Sequence, residues 1–407
     1  MTLANTQTVQ TMPTSRAKAA PRSPVNRLTL ANILSQSRFR LIPMIAVLIV
    51  VWLVLEVLTG GLFLSARNLT NLSGQVAITA VLTAGAVMLM VPGYIDLSLG
   101  ATVAASAVVA AFASTVFGFG FWPTVAITLG FGLLLGLWHG FWIAWMHVPS
   151  FIVTLASLLA IRGLSLVITN AETISPSMDM LVISDAALPP ALSAVVIFGM
   201  WAVFSLLQLR EWRAQVSASV PASFGTLVLL PVISVGVVAL GAIVIAATYR
   251  GLPLPVAIVL AVVAITGGIL RYSAVGRRLY AIGGNRQAAM LAGINIRRQI
   301  TIVFAGMGLL YGLAGLMLVA RLSSAPPTAG QGLELNVIAA AVIGGTSLMG
   351  GRGTVAGAAL GALLMESLAN GMSLMNLPSS YQSIAVGLVL LLAVYIDIRG
   401  RGSRGDD

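Results

Sequence analysis

From residue 41 onward the chain is a succession of apolar runs, each close to the length a bilayer demands. They fall at 41–64, 72–91, 95–117, 122–146, 150–169, 189–209, 225–248, 252–270, 299–320, 335–349, 354–371 and 381–397. A helix needs roughly 20 consecutive apolar residues to cross the hydrocarbon core. Backbone polar groups in lipid find no water, so only helices or closed barrels can span it. Runs this long predict an all-α integral membrane protein, a polytopic bundle of about 10–12 transmembrane helices. The run at 335–349 is short and is expected to form a re-entrant or broken helix, which is tolerated only inside a protein bundle. Composition agrees: 58% of the 407 residues are hydrophobic and 8% charged, with a mean hydropathy of +1.00. A soluble domain carries roughly 25% charged residues.

The basic residues set the orientation. Six lie in the tail at 1–40, six more in 271–298, and Arg399, Arg401 and Arg404 close the chain. Basic residues in short loops mark the cytoplasmic side. An even number of spans between these segments puts all three, and both termini, in the cytoplasm, and the loop 170–188 with Glu172, Asp179 and Asp185 outside. This predicts a cytoplasmic (inner) membrane protein with a basic tail at 1–40, a transmembrane domain at 41–398 and a cytoplasmic tail at 399–407. The first 25 residues read as disordered, and 26–39 as either a solvated tail or a short helix lying on the bilayer. The net charge of +11 belongs to this orientation pattern and does not point to nucleic acid.

Two absences bound the chemistry. The chain has no cysteine, which excludes disulfides, thiolate catalysis and cysteine metal sites. Its one lysine is Lys18, in the tail, so it carries no phosphate-binding loop with the lysine that reaches the β- and γ-phosphates. If ATP drives this protein, another chain binds it. No catalytic residue and no metal site is assigned.

An internal repeat is suggested by PGYIDLSLGATVAAS (92–106) and GQGLELNVIAAAVIGG (330–345), followed in the same order by VPSFIVTLASLLAI (148–161) and LPSSYQSIAVGLVLL (377–391). The charge-based topology starts the first motif inside and the second outside, an inverted repeat of the kind that places substrate at the repeat interface. Ionisable groups within spans are costly and usually face the bundle or a wet path. Asp96, Ser98, Arg162, Glu334, Asn336, Glu366 and Asn370 are therefore candidates for a polar pathway, with Asp96 and Glu334 read at span ends. The alternative for Arg162 and Glu366 is a structural pairing between helices. Glu56 reads as interfacial, and His139 and His147 as parts of an aromatic belt with Trp138, Trp142 and Trp145. The segment 271–298 is too polar to span. Its Gly-Gly-Asn hinge between two short helical stretches suits docking to another protein.

The segments GYIDLSLGA, VPSFIVTLASLLAIRGLSLVITN, GRRLYAIGGNRQAAMLAGINIRR, ARLSSAPPTAGQGLELNVIAAAVIGGTSLMGGRGTVAGAALGALL and NGMSLMNLPSSYQSI resemble the permease subunits of ribose- and xylose-type ABC sugar importers, the xylose type most. Against the ribose type, 189–248 is a two-span insertion. The resemblance implies a chain that moves a monosaccharide, xylose or another pentose, by alternating access without chemistry or a cofactor of its own. ATP and Mg²⁺ would sit in a partner ATP-binding subunit. The other partners implied are an extracytoplasmic sugar-binding protein and a second permease copy, as a homodimer. Arg277, Arg278, Gly283, Gly284, Asn285 and Arg286 match the segment expected to meet the ATPase. One departure is Ala369, where family members often carry Asp or Asn; Glu366 stands three residues earlier, on the same helix face. The competing reading is an ion-coupled secondary sugar transporter with Glu366 as the coupling carboxylate.

Overall fold

The computed structural model describes residues 41–218, 251–402 and scattered positions between 223 and 247. The tail at 1–40 with its interfacial stretch 26–39, much of the run 225–248, and 403–407 lie outside the described residues. The helices are α1 (Leu41–Leu58), α2 (Ala66–Met90), α3 (Leu99–Ala111), α4 (Phe121–Gly140), α5 (Ser150–Thr169), α6 (Pro190–Ser217), α7 (Leu254–Tyr272), α8 (Ala274–Gly284), α9 (Arg286–Leu291), α10 (Ile296–Leu322), α11 (Leu333–Ile343), α12 (Val355–Leu374) and α13 (Ser379–Gly402). Single π turns extend α3 to Val116 and α4 to Trp145. Among the described residues eight helices are long and apolar enough to cross a membrane, and Met44–Leu58, Leu333–Ile343 and Ser379–Tyr395 are shorter apolar ones. Every apolar run outside 225–248 thus carries a helix. The described residues from Met44 onward form one packed unit; of the other, Met1–Pro43, only Leu41–Pro43 at the start of α1 are described.

Local chemistry sets the boundaries. Ser65, Asn295 and Thr354 each accept a hydrogen bond from a backbone N–H of the first turn of α2, α10 and α12, satisfying donors that a helix start leaves unpaired. Prolines open α6 and α7, where the missing N–H costs nothing. Asn170 and Ser323 end α5 and α10 in the left-handed region.

The bundle has two faces. One carries α8 and α9 with their arginines. The other carries the loop after α5, where Ser177 N–H donates to Ser114 Oγ at 3.2 Å and Ala325 N–H to Ile174 C=O at 2.8 Å. At that acidic face a two-residue antiparallel ladder, β1 (Ala187–Leu188) with β2 (Leu252–Pro253), brings the chain back to the point where it leaves for α6.

The core gathers around α10, whose Val303, Phe304, Met307, Tyr311 and Ala314 are buried. It lies tightly against α4. A Cβ built on Gly136 would stand 2.2 Å from Phe304 O, one on Gly132 2.3 Å from Gly308 O, and one on Gly312 2.6 Å from Thr128 O. Small residues every fourth position let two backbones meet and gain dispersion contacts that lipid tails cannot give. By contrast α4, α5 and α6 turn most of their remaining surface outward, with Leu134, Leu159, Leu164, Val167, Val195 and Leu206 exposed, as lipid-facing helices do.

This seam predicts that Gly136→Leu lowers the melting temperature of the detergent-purified protein, by about 1–3 kcal/mol of stability or more. Gly163→Leu, a position with nothing within 4 Å, leaves it unchanged. Equal melting of both variants would remove the seam from the account.

Candidate functional site

Two helices of the repeat begin inside the bundle and not at its surface. The span expected at 95–117 starts as helix only at Leu99; the residues from Val91 to Ser98 are a turn followed by an extended arm. This arm lies along α5: Ile95 N–H donates to Ser150 Oγ at 3.4 Å, and Leu97 N–H to Thr154 Oγ1 at 3.1 Å. The hydroxyls replace the bonds a helix would have made, and irregular backbone survives at membrane depth only with such partners. The short run 335–349 is the counterpart. Its helix α11 has 11 residues, about 16 Å long, or half a bilayer core. It follows an irregular return from the acidic face over 323–332.

The two starts meet. A Cβ on Gly100 would lie 2.1 Å from Gly330 O and 2.4 Å from Glu334 Oε2. From this point α3 runs toward the acidic face, and α11 toward the arginine-rich face, where Gly344 packs on Ala358 at the start of α12. The two LPS/VPS helices, α5 and α13, likewise start at opposite faces. This is the inverted arrangement that the motifs suggested. The meeting point lies deep, because Tyr311, near the middle of α10, donates its hydroxyl to Asp96 Oδ2. Asp96 and Glu334 therefore stand near mid-depth, not at the span ends that the apolar runs predict. Each sits beside a helix N-terminus, whose free N–H groups favour negative charge.

The carboxylates are used differently. Asp96 is buried, and both its oxygens are engaged: Oδ1 accepts Ser98 N–H at 2.8 Å and Ser98 Oγ–H at 2.7 Å, while Oδ2 accepts Tyr311. It closes the start of α3. Glu334 is half-buried, yet its Oε2 is shielded from solvent and has no hydrogen-bond partner among the described residues. Asn336 is half-buried two residues on. Arg162 follows Ile161, which packs on Ala101 and Ala105 of α3, and its buried Nε and Nη2 also lack a partner among the described residues. Unpaired buried polar atoms are rare and costly, so Glu334 and Arg162 are the better candidates for polar groups that act on something passing.

Glu366 and Asn370 form a separate cluster. Thr79 Oγ1 donates to Glu366 Oε1 at 2.6 Å, Asn68 Nδ2 to Asn370 Oδ1 at 2.8 Å, and Trp52 Nε1 to Ser367 Oγ at 2.9 Å. This ladder ties α12 to α1 and α2. Glu56 accepts Leu64 N–H at 2.7 Å and closes the α1–α2 turn. His139 corrects the sequence reading. It is fully buried, its ring 6.1 Å from Tyr311 and 6.2 Å from Phe304, and so belongs to the core; His147 is exposed. Sequence reasoning missed Tyr311, Thr154 and Gly100. A tyrosine within an apolar run was the available signal for Tyr311, since a buried hydroxyl needs a partner.

At the arginine-rich face α8 is seated on its apolar side, with Leu279 and Ile282 buried. Tyr280 donates its hydroxyl to Gly353 C=O at 2.6 Å. Burial pushes this phenol's pKa up, against the pull of Arg271, so it stays a donor. Gly283 does not belong to the outward surface: a Cβ there would lie 1.9 Å from Val91 O and 2.5 Å from Gly351 N. Arg277, Arg278, Gly284, Asn285 and Arg286 are exposed, and Asn285 caps α9 by accepting Ala288 N–H at 2.9 Å. Beyond them Met290 and Leu291 are exposed, Leu291 by 91%.

Residues 68–394 match the family described as "Branched-chain amino acid transport system / permease component". The chain belongs to this family. It is a multi-pass membrane permease. It is 44% identical over 366 residues to the xylose transport system permease protein XylH of Escherichia coli (strain K12), covering 87% of this chain and 90% of that protein. The Haemophilus influenzae XylH is 43% identical over 362 residues, with 87% and 95% covered. The ribose import permease protein RbsC of E. coli (strain K12) is 32% identical over 337 residues, with 82% and 87% covered. No solved structure matches the chain.

The contrast between the two carboxylates is testable. Tyr311→Phe leaves Asp96 short of a charged hydrogen bond and is expected to lower stability by about 1.5–3 kcal/mol. Glu334→Gln is expected to leave melting within about 0.5 kcal/mol while slowing uptake. Thermal melts of both variants with transport by the second decide the assignment; a Glu334→Gln protein as unstable as Tyr311→Phe would make Glu334 structural too.

Proposed function

We propose that this chain is the membrane-spanning permease subunit of an ATP-binding-cassette importer that carries a pentose, xylose first, across the inner membrane. The observation that carries the reading is 44% identity to a xylose transport system permease along nine-tenths of that protein's length. The identity to a ribose permease extends the substrate class to pentoses. The mechanism is alternating access without bond making. The solute meets Glu334, Asn336 and Arg162 near the junction of the two helix starts. Asp96, Ser98, Glu366 and Asn370 hold the surrounding helices.

The energy enters from a partner. The lack of a phosphate-binding lysine supports placing ATP and Mg²⁺ in a separate ATP-binding subunit. That subunit docks on Arg277, Arg278, Gly284, Asn285 and Arg286 with the apolar Met290 and Leu291; Gly283 seats the helix from beneath. Apolar residues exposed outside the bilayer are what a protein partner covers. A sugar-binding protein serves the opposite, acidic face, and both termini lie in the cytoplasm. The permease works as a homodimer. An ion-coupled transporter would use Glu366 as a free carboxylate, whereas Thr79 and the α12 ladder hold it.

The test is uptake of labelled xylose into proteoliposomes holding the permease, the ATP-binding subunit and the sugar-binding protein. ATP-dependent uptake is expected; uptake driven by a proton gradient without the ATPase would overturn the reading. In the same vesicles Arg286→Glu and Gly284→Pro are expected to leave insertion intact and to lower xylose moved per ATP hydrolysed by about tenfold, the effect of some 1.4 kcal/mol in coupling. Normal coupling in both would remove the docking assignment.

A further inference from the structure

The polar groups singled out in the sequence lie deep in the bundle, but the first third of α2 poses a different problem. Arg67, Thr70 and Asn71 are exposed there, and Ser73, Gly74 and Gln75 are half-buried. Ten residues of helix cover about 15 Å of depth. Thr70 and Ser73 donate to Ala66 C=O and Thr70 C=O of their own helix, but the exposed Arg67 and Asn71 have no such partner among the described residues, and a membrane helix that turns them outward faces water or protein.

This stripe forms one wall of a cleft of about 160 Å³ at the acidic face. Its polar lining comes from Thr70 and Asn71 of α2, Ser184 and Asp185 of the turn before β1, and Arg321 and Ser323 at the end of α10. The Arg321 stem lies against α2 at Gly74, where a Cβ would stand 3.5 Å from Arg321 Cδ, an ordinary contact. Arg321 lines the cleft and makes no ion pair among the described residues; the Glu366 carboxylate of α12 is the charge that acts on it. Ser184 Oγ donates to Asp185 Oδ1 at 2.8 Å, which leaves the second carboxylate oxygen available. At ~30 Å³ each the cleft holds about five waters, the scale of one small sugar ring.

We propose that this cleft is the outer sugar subsite of the permease, taking a small polyhydroxylated solute as it leaves the binding protein. The planar guanidinium of Arg321 donates to adjacent sugar hydroxyls, Asp185 accepts from another, and the Asn71 amide does both. The inference rests on the importer reading and adds to it the outer mouth of the path, one wall being α2.

The chain's lack of cysteine gives a direct test. In the full-length Asn71→Cys protein in proteoliposomes, a membrane-impermeant thiol reagent added on the acidic-face side is expected to label the single thiol, and millimolar xylose to slow labelling while a non-sugar osmolyte does not. No labelling, or labelling indifferent to xylose, overturns the subsite. In the complete transporter, Arg321→Gln is expected to lower xylose uptake per ATP by about tenfold, as the loss of one charged hydrogen bond implies. It is also expected to flatten the preference for xylose over its deoxy analogues; an unchanged preference would make Arg321 structural and overturn the proposal. Should Arg321→Gln fail to fold, the labelling result decides. Wild-type protein without ATP-driven xylose uptake sinks the importer reading instead, whatever the labelling shows.

Discussion

The architecture depends on how two stretches of non-helical backbone are satisfied inside a membrane. A free N–H or C=O in hydrocarbon costs several kcal/mol, so a chain cannot begin a helix at mid-depth without partners for the segment leading in. For the return into α11 the partners are backbone carbonyls, Ala325 N–H donating to Ile174 C=O at 2.8 Å, and for the arm into α3 they are side-chain oxygens. Ser150 and Thr154 accept the arm's N–H groups, and Asp96 closes the start of α3 while Tyr311 holds the carboxylate. Glycines at 100 and 330 then let the two helix starts approach to backbone contact.

That junction sets the division of labour among polar residues. A carboxylate with every oxygen engaged is a structural part, and one with an oxygen shielded and unpartnered is poised for something absent. Asp96 and Glu334 look alike in sequence, each in an acid–Leu–polar triplet near a glycine. They differ because Asp96 precedes its helix and folds back on Ser98, whereas Glu334 lies within the first turn of α11. Glu366 stands between these cases: Thr79 takes its Oε1, and through that bond the carboxylate ties α2 to α12.

The long-range plan was legible in the sequence because lipid enforces it. The length of each apolar run set the helices, the shortness of 335–349 announced the half-helix, and the paired motifs announced opposite directions. Depth and partnership were not legible. A motif at the edge of an apolar run reads as a span end, and nothing in GYIDLSLGA says that its first six residues climb into the bundle before helix begins. That depends on Ser150 and Thr154, more than 50 residues away. His139 failed for a similar reason: three tryptophans nearby mark an interface, but burial against Phe304 and Tyr311 is a property of α10. Gly283 sits among exposed arginines in sequence, and only the approach of Val91 turns it inward.

The position of α8 connects these parts. Its glycine face rests on Val91, from which the arm to α3 departs, and on Gly351, which lies between α11 and α12. Those two points are themselves joined, Gly351 N–H donating to Val91 C=O at 2.8 Å, and Tyr280 reaches Gly353 beside them. The arginine-bearing helix thus meets, backbone to backbone, the start of the arm that leads to α3 and the turn that leads from the end of α11 into α12. The seam of α4 and α10 is packed in the same backbone-to-backbone way. The arginine-rich face and the junction of the two helix starts are therefore joined through short stretches of backbone at Val91 and Gly351.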